Sequence, residues 1–317
     1  MEKLELSPEC EKIAKRIKNE RQLRATTGLS SKQFSIIVPI FSQYLEEEKQ
    51  AKYKNKDRKM GSGKKGDIET PDEKLLLILF YLKCYTTFDV LGFTFGISGD
   101  AAHRYVYNLF DILMKTLNHF GVLPHMEFKS PEELQAAFKE FDTLLIDATE
   151  RAVQRSQDYE VQNEDYSGKK RQQTHKCTVI STLTTYILYV GELFRGKNHD
   201  YGMFKKEFKP ELDWFKNFQV YVDLGYLGFA DDYKTKELFI PYKKPRKSKN
   251  NPNPTLSEEQ KRYNKNVGSI RVKVEHSIGG MKRYRCFTDK YRNKINDTKS
   301  FFKVLSAALW NFNLSFN

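Results

Sequence analysis

The stretch Phe218-Gln-Val-Tyr-Val-Asp223-Leu-Gly-Tyr-Leu-Gly228 decides how the chain is read. An apolar run with β-branched Val220 and Val222 has the pattern of a buried strand. It delivers a carboxylate to its end, and two glycines then turn the chain. A carboxylate there is costly unless a cation or hydrogen bonds compensate it. Taken alone, Asp223 reads first as a cap for the helix that follows. Two further acids in comparable positions point to a site instead.

The first is Asp147, which ends the short apolar strand Thr143-Leu-Leu-Ile-Asp147. The second is Glu275. Val267, Ile270, Val274, Ile278 and Met281 recur at helical spacing and predict a buried stripe. Arg271, Glu275, Gly279 and Lys282 then fall along one neighbouring face. An Arg–Glu pair four residues apart is also a common surface salt bridge. The Gly279-Gly280 pair is unusual there, because each glycine costs roughly 1 kcal/mol inside a helix. A partner that must approach closely, such as a polyanion backbone between Arg271 and Lys282, would account for it.

Composition narrows the partner. The 317 residues carry 54 Lys+Arg against 41 Asp+Glu, a net charge of +13, which points to a polyanion and most often to nucleic acid. A membrane fits less well: the longest apolar run, Leu75–Leu82, is too short to span, and no signal peptide opens the chain. Cys10, Cys84, Cys177 and Cys286 are scattered without a Cys-x-x-Cys pair, as expected of free thiols in a reducing cytoplasm.

Outward from these acids, the first half of the chain reads as helical. A charged helical pattern spans Pro8–Arg24, and Ser30 or Ser31 starts a helix whose apolar face is Phe34, Ile37, Phe41, Tyr44 and Leu45. Residues 46–66 read as a charged linker or solvated loop, with eight basic residues in Lys49–Lys65 against Asp57 alone. Thr70-Pro71-Asp72-Glu73 is a capping box before an apolar helix. Thr86 or Thr87 starts a short second helix, Gly96-Ile97-Ser98 turns, and a third helix covers about Gly99–Leu117. This is the layout of a helix-turn-helix, with His103 and Arg104 on the exposed start of its third helix, and equally that of a plain three-helix bundle.

After a connector, Gly121–Lys139, the pattern switches to strands: the Asp147 strand, Cys177–Leu183, Tyr186–Phe194, the Asp223 strand and Leu238–Tyr242. The turn Tyr166-Ser-Gly-Lys169-Lys170-Arg171 is basic, and Asp200 reads as a helix N-cap. Residues 243–258 form a basic Asn/Pro-rich insert. The last helix, capped near Asp297, is expected to close the fold over the sheet. The fold class is α+β, with helices first and a mixed α/β sheet after them.

Leu-Ile-Asp147-Ala-Thr, Tyr166-Ser-Gly-Lys-Lys, Gly196-x-x-His-Asp200, Val-Asp223-Leu-Gly-Tyr-Leu-Gly and Arg271-x-x-x-Glu275-x-x-x-Gly-x-x-Lys282 stand in that order. Together they resemble the DDE transposases of bacterial insertion sequences, specifically the insertion-sequence-five and Harbinger-like group. The resemblance runs from about Gly28 to the C-terminus. It implies N-terminal helices and a basic linker over 1–69, a helix-turn-helix DNA-binding region over 70–120, and a ribonuclease H-like catalytic domain over 140–317. It makes Asp147, Asp223 and Glu275 the metal-binding catalytic acids. Lys169, Lys170, Arg171, Arg271, Lys282, His103 and Arg104 are the expected DNA contacts. Related transposases often carry a Tyr three residues before the Arg, where this chain has Gly268, so the phosphate contact of that Tyr is not expected here.

The chemistry agrees with these residue types. In-line phosphodiester cleavage is served by two divalent ions about 4 Å apart, held by carboxylates from separate elements. Hard oxygen ligands favour Mg²⁺, with Mn²⁺ as substitute. The expected partners are the element's terminal inverted repeats and target DNA, with a homodimer or higher oligomer assembled on them in a prokaryotic cytoplasm. The alternatives are a domesticated, non-cleaving DNA-binding regulator and another metal-dependent nuclease.

Overall fold

The computed structural model describes residues 17–53, 66–247, 252–292 and 296–317. Two compact units emerge. A helical unit runs to Leu123 and also takes Lys282–Asp289 and Phe301–Asn317; a sheet unit takes Pro124–Met281 and Lys290–Ser300. Among the described residues no helix is long and apolar enough to cross a membrane.

In the helical unit, α1 (Glu20–Thr27) is capped by Asn19, whose side chain accepts the Gln22 N–H. The rest of the charged pattern expected from Pro8 lies mostly outside the described residues. Ser30, not Ser31, caps α2 (Ser31–Tyr53): Ser30 Oγ accepts the Gln33 N–H at 3.1 Å, and the Gln33 side chain accepts the Ser30 N–H at 2.8 Å. The helix continues through residues 46–53, read above as linker. Glu48 explains this, lying 3.6 Å from Lys52 one turn on and 3.3 Å from Lys115. The remaining basic residues, 54–65, fall outside the described ones.

The expected capping box opens α3 (Pro71–Cys84), with both of its hydrogen bonds formed. Thr87 caps α4 (Phe88–Phe95), which ends on left-handed Gly96, and Ser98 caps α5 (Gly99–His119). A Cβ on Gly92 would stand 2.6 Å from the Ile97 carbonyl oxygen, so the turn between α4 and α5 closes only over a glycine. Ala102, Val106, Leu109, Ile112, Leu113 and Leu117 form the buried face of α5, as their spacing predicts.

In the sheet unit the connector after Gly121 contains a short helix, α6 (Pro131–Ala137), started by Ser130. The sheet then builds on β1 (Thr143–Ala152). Helix α7 (Tyr159–Asp165) leads into β2 (Tyr166–Ser167) and β3 (Gln172–Ser181). The expected strand Tyr186–Phe194 is two strands, β4 (Ile187–Val190) and β5 (Phe194–Arg195). Gly191 and Glu192 break it, because the Glu192 N–H turns away to the Glu207 carboxylate at 2.6 Å. After α8 (Asp200–Glu207) come β6 (Gln219–Tyr221), α9 (Phe229–Asp232) and β7 (Glu237–Phe239).

The strand order is β2-β3-β1-β6-β7, with β4 and β5 also pairing with β3. β1 runs antiparallel to β3 and parallel to β6, and β6 runs parallel to β7. One face buries Leu144, Ile146, Val220 and Val222 against an aromatic cluster that includes Phe204, Phe215, Tyr226 and Phe229. Part of the basic insert, residues 248–251, lies outside the described ones. The long helix α10 (Glu258–Lys282) follows it.

The chain returns to the helical unit with α11 (Arg285–Thr288) and again with most of α12 (Asn296–Ser315). The side chain of Asp297 lies outside the described residues. The expectation that this last helix covers the sheet is corrected. Phe302 lies against Tyr85 and Phe110, and Phe312 against Phe120, all in the helical unit. An apolar stripe at helical spacing shows that a face is buried, not which surface buries it.

Candidate active site

Asp147 is the fifth residue of the ten-residue strand β1, not its end. The parallel register pairs Leu145 with Tyr221. Continued by two residues, that register sets Asp147 level with Asp223, just past the end of β6. The pairing of two neighbouring strands thus brings together acids far apart in sequence.

Asp147 is held from two sides. Its Oδ1 accepts the Ala148 N–H at 2.8 Å, and its Oδ2 lies 3.7 Å from Arg271 Nη2 on α10. Burial, and then the charge of Asp223, push its carboxyl up to about 6, although the Ala148 hydrogen bond and Arg271 pull the other way. Asp223 is the cap that its place in the sequence predicts. Its Oδ1 accepts the Gly225 N–H at 2.7 Å and caps the single 3-10 turn Leu224–Tyr226, while its charge acts on Asp147. A Cβ on Gly225 would stand 2.8 Å from that Oδ1, so the position admits only glycine without displacing the carboxylate.

Asp200 departs from its reading as an N-cap. His199 occupies the cap position, and the Asp200 carboxylate accepts from Lys176 Nζ at 3.1 Å. Lys176 also reaches Glu150 Oε1 at 3.0 Å, directly across the β1–β3 register, and the Asn198 carbonyl at 3.0 Å. Burial lowers the pKa of this ammonium, but its bonds to Glu150 and Asp200 outweigh that and hold it above the ordinary lysine value. Asp200 also raises the pKa of Asp147. Sequence reasoning missed Lys176 and Glu150. The one available signal was a lysine at the edge of an apolar strand, which gains meaning only from the cross-strand pairing.

Glu275 stands one turn beyond Arg271 on α10 and is exposed. No hydrogen bond or ion pair ties it to Asp147 or Asp223 among the described residues. Among the described residues, no three His, Cys, Asp or Glu side chains stand close enough to hold a metal ion by themselves. Among the described residues, nothing outside the helix's own backbone and the adjoining residues lies within 4 Å of where a Cβ on Gly268 or Gly279 would be, so both glycines leave open space beside this helix.

The expected DNA contacts are exposed except Arg271, whose side chain is largely covered beside Asp147. Lys169, Lys170 and Arg171 form the β2–β3 turn, with Arg171 in the left-handed region at φ 54°. Lys282 ends α10. On α5, the His103 ring is engaged by Phe88 at 4.8 Å and Tyr107 at 4.4 Å, whereas Arg104 presents its guanidinium outward.

Asp147 and Asp223 are the carboxylates that would offer oxygens to a divalent cation here, with Asp200 acting on Asp147 beside them; Arg271 pairs with Asp147, and Lys176 with Glu150 and Asp200. Carboxylate oxygens are the ligands that hard divalent ions take.

The chain is 27% identical over 277 residues to a probable transposase for insertion sequence element IS702 from Microchaete diplosiphon, covering 86% of this chain and 88% of that protein. The helix-turn-helix of DDE superfamily endonucleases matches residues 69–118, which cover α3, α4 and all but the last residue of α5. The DDE superfamily endonuclease family itself matches residues 146–311, from the residue before Asp147 to beyond Glu275. With more than half of its length matched, the chain belongs to the DDE superfamily endonucleases.

Proposed function

We propose that this endonuclease is a transposase, which binds the ends of a mobile DNA element and cuts and joins DNA strands there. The observation that carries the reading is the Asp147–Asp223 pair, set level by strand register, with Arg271 3.7 Å from Asp147. The transposase similarity extends along most of both chains. The helix-turn-helix supplies recognition through Arg104 and His103.

Asp147, Asp223 and Glu275 would hold the metal. Mg²⁺ is the expected ion, two per site, with Mn²⁺ as substitute. Bound metal supplies an activated nucleophile and neutralises charge on the leaving oxygen. Lys169, Lys170, Arg171, Arg271 and Lys282 position the phosphate backbone by charge and take no part in proton transfer. Hydrolysis frees a 3′-hydroxyl, which attacks a phosphodiester of the target DNA and displaces that strand's 3′-oxygen, so one phosphodiester forms as another breaks. The complex is a dimer or larger assembly on DNA, in a prokaryotic cytoplasm.

The test incubates the purified full chain and Mg²⁺ with duplexes carrying the DNA that flanks its own coding sequence. Strand nicks at the element boundary are expected. Asp223→Asn and Glu275→Gln should lose cleavage and still retard the end duplex in a gel. Wild-type cleavage by either variant removes that residue from the site.

A further inference from the structure

The turn after Asp223 shows a feature that metal binding does not use. Tyr226 is fully buried, packed against Tyr201 and Phe204, and its N–H donates to the Asp223 carbonyl at 3.1 Å. Gly225 is tied to the Asp223 carboxylate, and Gly228 takes a left-handed φ of 101°. A turn pinned at these points has one inward side chain, Tyr226, and two outward ones. Both outward residues are leucines: Leu224 is 37% exposed and Leu227 46%. Gly225, also exposed, leaves a low saddle between them.

Single exposed leucines are ordinary on protein surfaces. Two of them on a pinned turn, within four residues of a site carboxylate, are not what a phosphate-binding rim requires. A leucine offers nothing to a phosphate, but it offers a surface to a base. Apolar side chains, leucine among them, are the wedges that proteins press between base steps to unstack DNA.

We propose that Leu224 and Leu227 form an apolar wedge that contacts and unstacks the base pair beside the scissile phosphate. This places the distortion of the DNA end on the same turn that carries Asp223. It rests on the DNA-cutting reading above. Opening the pair frees the strand to bend its phosphate toward the carboxylates, so the wedge acts by positioning DNA.

The experiment compares two substrates cut by the full chain with Mg²⁺. One is a fully paired end duplex; the other has two mismatched pairs at the boundary. A 2-aminopurine beside the boundary reports unstacking on binding in Ca²⁺. Leu224→Ala/Leu227→Ala should cut the paired duplex about tenfold more slowly and give no fluorescence rise. On the mismatched duplex it should recover to within about threefold of wild type, because the unstacking is already done. Leu227→Phe should retain paired cleavage. Equal losses on both substrates, or none on the paired one, overturn the wedge. Failure of the wild-type protein to cut either substrate would instead count against the DNA-cutting reading. An unchanged melting temperature of the double variant shows that the fold is intact.

Discussion

Replacing Asp147 by Asn should make the metal-free protein more stable while abolishing cleavage. Burial and Asp223 hold the Asp147 carboxyl at about 6, against an ordinary value of 3.8. That difference corresponds to ~3 kcal/mol. The folded value lies above the unfolded one, so the folded chain binds the proton more tightly and ionisation weakens the fold. The contribution is favourable at low pH and is lost as pH rises from 3.8 through about 6. Arg271 and the Ala148 N–H already act within this net figure. Asparagine keeps an oxygen for the Ala148 N–H and carries no charge, so it resembles the protonated acid. Urea denaturation in EDTA should therefore show Asp147→Asn more stable than wild type at pH 8, by up to ~3 kcal/mol. The gap should narrow on acidification and vanish near pH 4. Adding Mg²⁺ should also narrow it, because only wild type gains from binding. A variant less stable than wild type at pH 8, or a gap independent of pH, would refute the claim that Asp147 is held at an electrostatic cost.

Three further outcomes follow from the geometry. Lys176→Met strands Glu150 and Asp200 without their shared cation and should cost about 3–5 kcal/mol in denaturation, with part recovered when Asp200→Asn is added. Arg104→Ala should weaken retardation of the end duplex more than of random duplex, by about 1–3 kcal/mol of discrimination; equal losses would make α5 a backbone clamp. Lys282→Ala should lower cleavage and reduce the salt slope of end binding by about one, with Lys282→Arg restoring most of the loss; an unchanged slope would take Lys282 off the DNA.

The sequence by itself determined the elements that rest on local chemistry. The capping box at Thr70, the Gly96 turn and the buried face of α5 depend on residues a few positions apart, so the pattern contains its own cause. Asp147, Asp223 and Glu275 stood out for the same reason, as acids in or beside apolar periodicity. Only the tertiary structure decided which of them meet. The register Leu145 with Tyr221 levels Asp147 with Asp223, the β1–β3 pairing sets Lys176 against Glu150, and α10 brings Arg271 to Asp147. It turned Asp200 from a helix cap into an ion-pair partner and set the last helix among the helices instead of on the sheet. Periodicity records that a face is buried and a charge is costly. Which surface covers the face, and which ion answers the charge, depends on strands and helices distant in sequence, and local spacing contains no trace of them.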